Sequence, residues 1–180
     1  MRPLLSIGGF KTWEALSRST KPAVLFDALG EADELRLREE FSRWLLQLLK
    51  AQVQECIRLQ RFPVEYEPLS PAWASRKARE GLKPGFWVAT GTLVDTLTVW
   101  KERGTRTWHL GWPPDVRNPL NGQPVAEIAA ALEEGSVENN RPARPLFTLL
   151  ATQMRKNIYR LFYRFCQKHH PEHLSKLPRP

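Results

Sequence analysis

The sequence predicts an α+β fold in which long amphipathic helices pack on a small antiparallel sheet, and three observations point to it. Across 33–59 the apolar residues Phe41, Trp44, Leu45, Leu48, Leu49, Val53, Cys56 and Ile57 recur at three- and four-residue steps, the spacing of one face of a long helix. A second stripe, Leu149, Leu150, Met154, Ile158, Leu161, Phe162 and Phe165, marks another long helix over 146–165. Between them, two β-prone runs at 96–100 and 105–112 flank Glu102-Arg103-Gly104, which predicts a hairpin over about 93–112. Arg36, Glu39, Glu40, Arg43, Lys50 and Glu55 fill the remaining positions of the first helix, so its other faces are solvated.

Composition narrows the function classes. The chain has 180 residues, enough for one domain with a real core. Its 42% hydrophobic content and seven Trp exclude a disordered chain. A net charge of +8 predicts attraction to polyanions or to an acidic partner. Cys56 and Cys166 each sit in a helical apolar pattern and read as small core residues rather than as a disulfide framework. No run approaches the roughly 20 apolar residues of a spanning helix, and the apolar start is too brief for a signal peptide. A soluble protein of a reducing compartment, with no membrane partner, is expected.

In chain order, 1–30 reads as an arm that packs on a neighbour or stays loosely ordered, 31–168 as a single α+β domain, and 169–180 as a flexible tail. Ser70 caps a short helix with Pro71 at its first position and Gly81 after its end. On that helix Trp73 is the expected anchor, and Arg76, Lys77 and Arg79 form a basic face, either solvated or partner-binding. Thr90-Gly91-Thr92-Leu93 reads as a tight turn into the hairpin, and 115–123 as a Pro/Asn/Gly loop. An Ala-rich helix over 125–134 closes at Gly135. Arg141-Pro142-Ala143-Arg144-Pro145 then forms a stiff elbow leading into Leu146, Phe147 and the last long helix. That helix also carries Arg155, Lys156, Arg160 and Arg164 with no acidic residue among them.

The residues that carry chemistry elsewhere do not assemble into a catalytic pattern here. Glu133 and Glu134 are adjacent on a helix and point in different directions, so they are no acid/base pair. His169, His170 and His173 follow a helix end and read as positive charge offsetting the helix dipole, with no metal or cofactor expected. Neither a phosphate-cradling loop nor a nucleophile elbow is present. The elbow instead suits contact: Arg144 has the forked geometry to pair with the carboxylate of Glu133 or Glu134, in this or a neighbouring subunit.

The ordered set Pro68-Leu69-Ser70-Pro71, Arg76-Lys77, Gly81, Thr90-Gly91-Thr92-Leu93, Ala126 to Gly135 and Arg141 to Phe147 resembles the virion-morphogenesis, or tail-completion, family of tailed bacteriophages. The resemblance covers about 68–150. Val125-Ala126 replaces a Tyr-Ala pair common in that family, the loop at 112–123 is long, and the N-terminal arm has no counterpart. The resemblance implies a structural, non-enzymatic subunit that forms a ring, most simply a hexamer, at the head–tail junction of the virion, with assembly in the host cytoplasm. Its partners would be other copies of itself, head connector or adaptor proteins, tail terminator or tail tube proteins, and genome DNA contacted without sequence preference. A closed ring joins two different patches of each subunit. The candidate interface is Thr90, Gly91, Leu93, Glu133, Glu134, Gly135 and the elbow from Arg141 to Phe147, together with the flank of the first long helix. The candidate contacts to DNA or an acidic partner are Arg76, Lys77, Arg79, Arg155, Lys156, Arg160 and Arg164. The competing class is a basic nucleic-acid-binding module or small regulator, which would be a monomer or dimer.

Overall fold

The computed structural model describes residues 5–7, 31–135, 142–177 and 179, and the fold is α+β as expected. Of the arm over 1–30, only a short strand, β1 (Leu5–Ile7), lies within the described residues. The helix α1 (Glu31–Leu59) follows, then α2 (Pro71–Arg79), the single turn α3 (Thr92–Asp95), β2 (Thr98–Lys101) and β3 (Trp108–Gly111). The chain continues through α4 (Val125–Glu134), α5 (Phe147–Lys156), α6 (Ile158–His169) and a 3₁₀ helix over Pro171–Lys176. The sheet order is β1-β3-β2. The β2–β3 loop closes where the Glu102 amide donates to the Thr107 carbonyl, with Gly104 at φ 77°.

The chain divides into two compact units. The first, here the elbow unit, takes Leu49–Thr98 and Leu110–Leu150; the second, here the terminal unit, takes α1 up to Leu48, Val99–His109 and the chain from Ala151. Leu49, Val53 and Ile57 of α1 are fully buried, as are Leu110, Ala129 and Leu146 of the elbow unit. In the terminal unit Phe41 meets Phe162 edge-on at 5.1 Å and Phe165 at 5.4 Å, and Trp44 lies 5.7 Å from Phe165. Such aromatic pairs contribute roughly 0.5–1.5 kcal/mol each beyond the area they bury.

Three elements depart from expectation for local reasons. The hairpin is narrower than 93–112 because Thr92–Asp95 is helical: Gly91 caps it at φ 84°, and the Thr90 hydroxyl accepts from the Thr92 amide. The last long helix is two helices. At Asn157 the backbone amide bonds back three residues to Met154, and the side-chain amide donates to the Gln153 carbonyl, a local competition that ends α5. The tail does not fray at Pro171. It winds into the 3₁₀ helix and leaves Leu177 only 6% exposed.

Candidate interaction site

The elbow is built from the N-terminus of α5 outward. A helix start leaves backbone amides without partners inside the helix. Here the buried Glu133 side chain, at the end of α4, supplies the acceptors: one oxygen takes the Leu146 amide at 2.8 Å and the Phe147 amide at 3.2 Å, the other the Thr148 amide at 2.8 Å. A carboxylate at that end also complements the helix dipole. Gly135 turns the chain at φ 74° after α4, and the Arg144 amide returns to the Leu132 carbonyl at 2.8 Å. Pro145 precedes the helix rather than starting it, and its carbonyl accepts from the Tyr66 hydroxyl at 2.8 Å.

Arg144 does not pair with Glu133 or Glu134. Its guanidinium lies 4.8 Å over the Phe86 ring and reaches the Glu67 carbonyl at 3.5 Å, while its Nε has no partner among the described residues. Within the chain Glu133 is occupied by the start of α5, and Glu134 stays exposed without Arg144 as a partner. Tyr66, Phe62 and Phe86 form an aromatic cluster around this place, with centroids between 4.8 and 6.0 Å. Burial, with Glu133 as the next cause, pushes the Tyr66 hydroxyl well above its ordinary value. Burial also lowers the pKa of Arg144.

Lys77 is a second buried cation rather than part of a basic face. It is 4% exposed, and its Nζ donates to the carbonyls of Lys83 at 3.0 Å and Gly85 at 2.6 Å. Burial and the Arg144 charge lower its pKa. Its helix, α2, is capped as predicted: the Ser70 hydroxyl accepts from the Trp73 amide, and the amides of Gly81 and Leu82 bond to the carbonyls of Ala78 and Lys77. Trp73, the expected anchor, is 37% exposed and lies 5.4 Å from Arg76, which pairs with Glu80 at 2.7 Å. Gln60 binds the Phe86 backbone through both ends of its amide. Gly85 sits at φ 93°, where a side chain would be strained, and a Cβ there would also displace the Gln60 amide from the Phe86 backbone.

The Thr90–Leu93 turn is pinned by α1 and the sheet side of the same unit. Gln54 donates to the Val94 carbonyl and the Trp112 indole to the Leu93 carbonyl, each at 2.9 Å. Gly91 is buried, and Thr90 and Leu93 are half-buried. Leu146 and Phe147 are core residues, with the Phe147 ring 5.5 Å from Trp112 and 6.0 Å from Trp87. Arg141 lies outside the described residues. Of the predicted interface, Glu134, Pro142 and Ala143 are exposed.

The cations of the last two helices differ. Arg155 and Lys156 in the last turn of α5, and Arg160 and Arg164 on α6, are exposed and make no ion pair among the described residues. Arg160 and Arg164 share a face at four-residue spacing. The break at Asn157 separates them from the first pair, so no single helical register sets all four.

Tyr66, Phe86, Gln60 and Lys77 join the elbow without having been expected there from the sequence. The aromatic spacing Phe62–Tyr66 is the available signal, but it falls in a non-helical stretch that contains Pro63 and runs on to Pro68. Among the described residues no helix is long and apolar enough to cross a membrane. Comparison with protein-family models, with curated proteins and with solved structures returns no match to this chain.

Proposed function

We propose that this chain is a structural subunit of a tailed-phage virion that forms a ring at the head–tail junction, completing the tail end and joining it to the head connector. One observation carries the reading. The motifs that resemble the tail-completion family fall in one compact unit, the elbow unit. There they lock local geometry: Ser70 and Gly81 end α2, Thr90-Gly91 starts α3, and Glu133 holds the start of α5. An ordered motif set with such mutual structural work is what a subunit scaffold requires. Glu134, Pro142 and Ala143 remain exposed on the elbow as contacts for a neighbour. Six copies in a ring would each present two different patches.

The four exposed cations of α5 and α6 support a second reading, a nucleic-acid-binding module acting as monomer or dimer. Within the ring reading, the same cations face DNA in the passage, bound through phosphates without sequence preference. Deleting the gene from a phage that encodes this chain separates the two. The ring reading expects finished heads and finished tails left unjoined in electron micrographs, with joining restored on complementation. Joined, infectious particles without the protein would overturn it.

A further inference from the structure

The terminal unit holds a cluster that the assembly reading does not use. After α6 ends at His169, Pro171 opens the 3₁₀ helix, and the His173 amide donates to the His170 carbonyl at 3.0 Å. With three residues per turn, side chains three apart stack over one another. The rings of His170 and His173 accordingly lie 5.8 Å apart and 16° from parallel. Glu172 faces both, with its Oε1 3.4 Å from His170 Nδ1 and 3.7 Å from His173 Nε2. One donor atom from each of the three residues lies within 4.8 Å of the others.

The other nitrogen of His170 settles its role. Its Nε2 is 2.7 Å from Glu40 Oε2 on α1, and Arg36 holds the other Glu40 oxygen at 3.7 Å. His170 is 8% exposed, so its ring is fixed in a buried slot with Nδ1 turned toward Glu172. A carboxylate on the far nitrogen of a histidine is the arrangement that orients a metal-bound imidazole and raises its basicity. We propose that His170 Nδ1, the Glu172 carboxylate and His173 Nε2 form a binding site for a divalent transition metal of the zinc type, with Glu40 as the positioning residue.

The chemistry fits such an ion. Two imidazoles and one carboxylate suit zinc, whose bonds to them run about 2.0–2.2 Å and leave neighbouring donors roughly 3.4 Å apart in a tetrahedron. The two separations from Glu172 are already close to that. Rotation of the half-buried His173 ring closes the third, leaving the fourth position to water. Glu40 and Glu172 together supply two negative charges, which offset a dication beside an otherwise basic helix end. Bound metal would tie the 3₁₀ helix to α1 within the terminal unit, a structural role.

Titration of the metal-free, untagged full chain with zinc chloride by calorimetry, at neutral pH, tests this. One equivalent should bind, with a rise in Tm that a chelator reverses. His173→Gln and Glu172→Gln should each weaken binding at least about tenfold and abolish the Tm rise. Glu40→Gln, which removes no ligand, should weaken it about 10- to 100-fold. His109→Gln, on β3, should leave affinity unchanged. Circular dichroism of each variant without metal establishes that it folds. No binding by the wild-type chain, or wild-type affinity in His173→Gln and Glu172→Gln, would overturn the site. Wild-type affinity in Glu40→Gln would overturn the positioning role of Glu40.

Discussion

Two sets of cations in this chain live under opposite conditions. Lys77 and Arg144 belong to the elbow unit, where they are 4% and 9% exposed and are bonded to backbone carbonyls. Arg155, Lys156, Arg160 and Arg164 stand exposed on α5 and α6. The buried pair is committed to holding loops against one another, because an unpaired charge away from water is costly. The exposed set is free of such duties and open to a partner. Reading Lys77 together with the exposed set, as the sequence invites, merges a structural device with a solvent-facing surface. Stability should therefore respond to changes around the elbow and polyanion binding to changes on the terminal helices, and three experiments probe that division.

The largest effect is expected at the acceptor end of the elbow. Glu133→Gln keeps the size of the side chain but removes its charge and turns one acceptor into a donor facing backbone amides. We expect a loss of about 1.5–3 kcal/mol, measured by urea unfolding, with salt-dependent DNA binding unchanged. A variant as stable as wild type would break the comparison, since the elbow would then hold no structural burden there.

Tyr66→Phe should cost less, about 0.5–1.5 kcal/mol at pH 7, through removal of the hydroxyl bond to the Pro145 carbonyl. This position adds a pH signature. The folded Tyr66 keeps its proton above the ordinary tyrosine value of about 10, where the unfolded chain releases it. The folded state then binds more protons than the unfolded state, so the Tyr66 contribution falls as pH rises past about 10. The stability gap between wild type and Tyr66→Phe should narrow between pH 9 and pH 11, roughly the range over which a free tyrosine ionises. A constant gap in urea melts across that range would sink the assignment.

The smallest stability change belongs to the exposed set. Replacing Arg155, Lys156, Arg160 and Arg164 together with Gln should move unfolding free energy by no more than about 0.5 kcal/mol per site, with fold content retained. Affinity for random-sequence DNA should drop, and the slope of its logarithm against log salt should become shallower by about one for each phosphate that is no longer neutralised. An unaltered slope would identify these residues as a merely solvated face.

Much of this fold is legible because local chemistry decides it. The stripe from Phe41 to Ile57 forms α1, Ser70 and Gly81 bound α2, and α4 ends before Gly135 as its composition dictates. What stays hidden in the sequence depends on partners distant along the chain or on small backbone choices. Lys77 looks like any surface lysine until the carbonyls of Lys83 and Gly85 come within reach. Arg144 lies on a ring and a carbonyl while Glu133 serves three amides, an arrangement visible only once α4 and α5 are placed. Asn157 interrupts an apolar stripe that keeps its period on both sides, so periodicity passes over the break. His170 reads as helix-end charge because Glu40 is far away along the chain.

The tie between α4 and α5 has a consequence for the segment that joins them. Glu133 grips the start of α5 while the Arg144 amide grips Leu132, so both ends of the intervening stretch are fastened independently of what lies between. One side chain therefore sets the register of two helices, and any change at Glu133 is felt by the end of α4 and the start of α5 together.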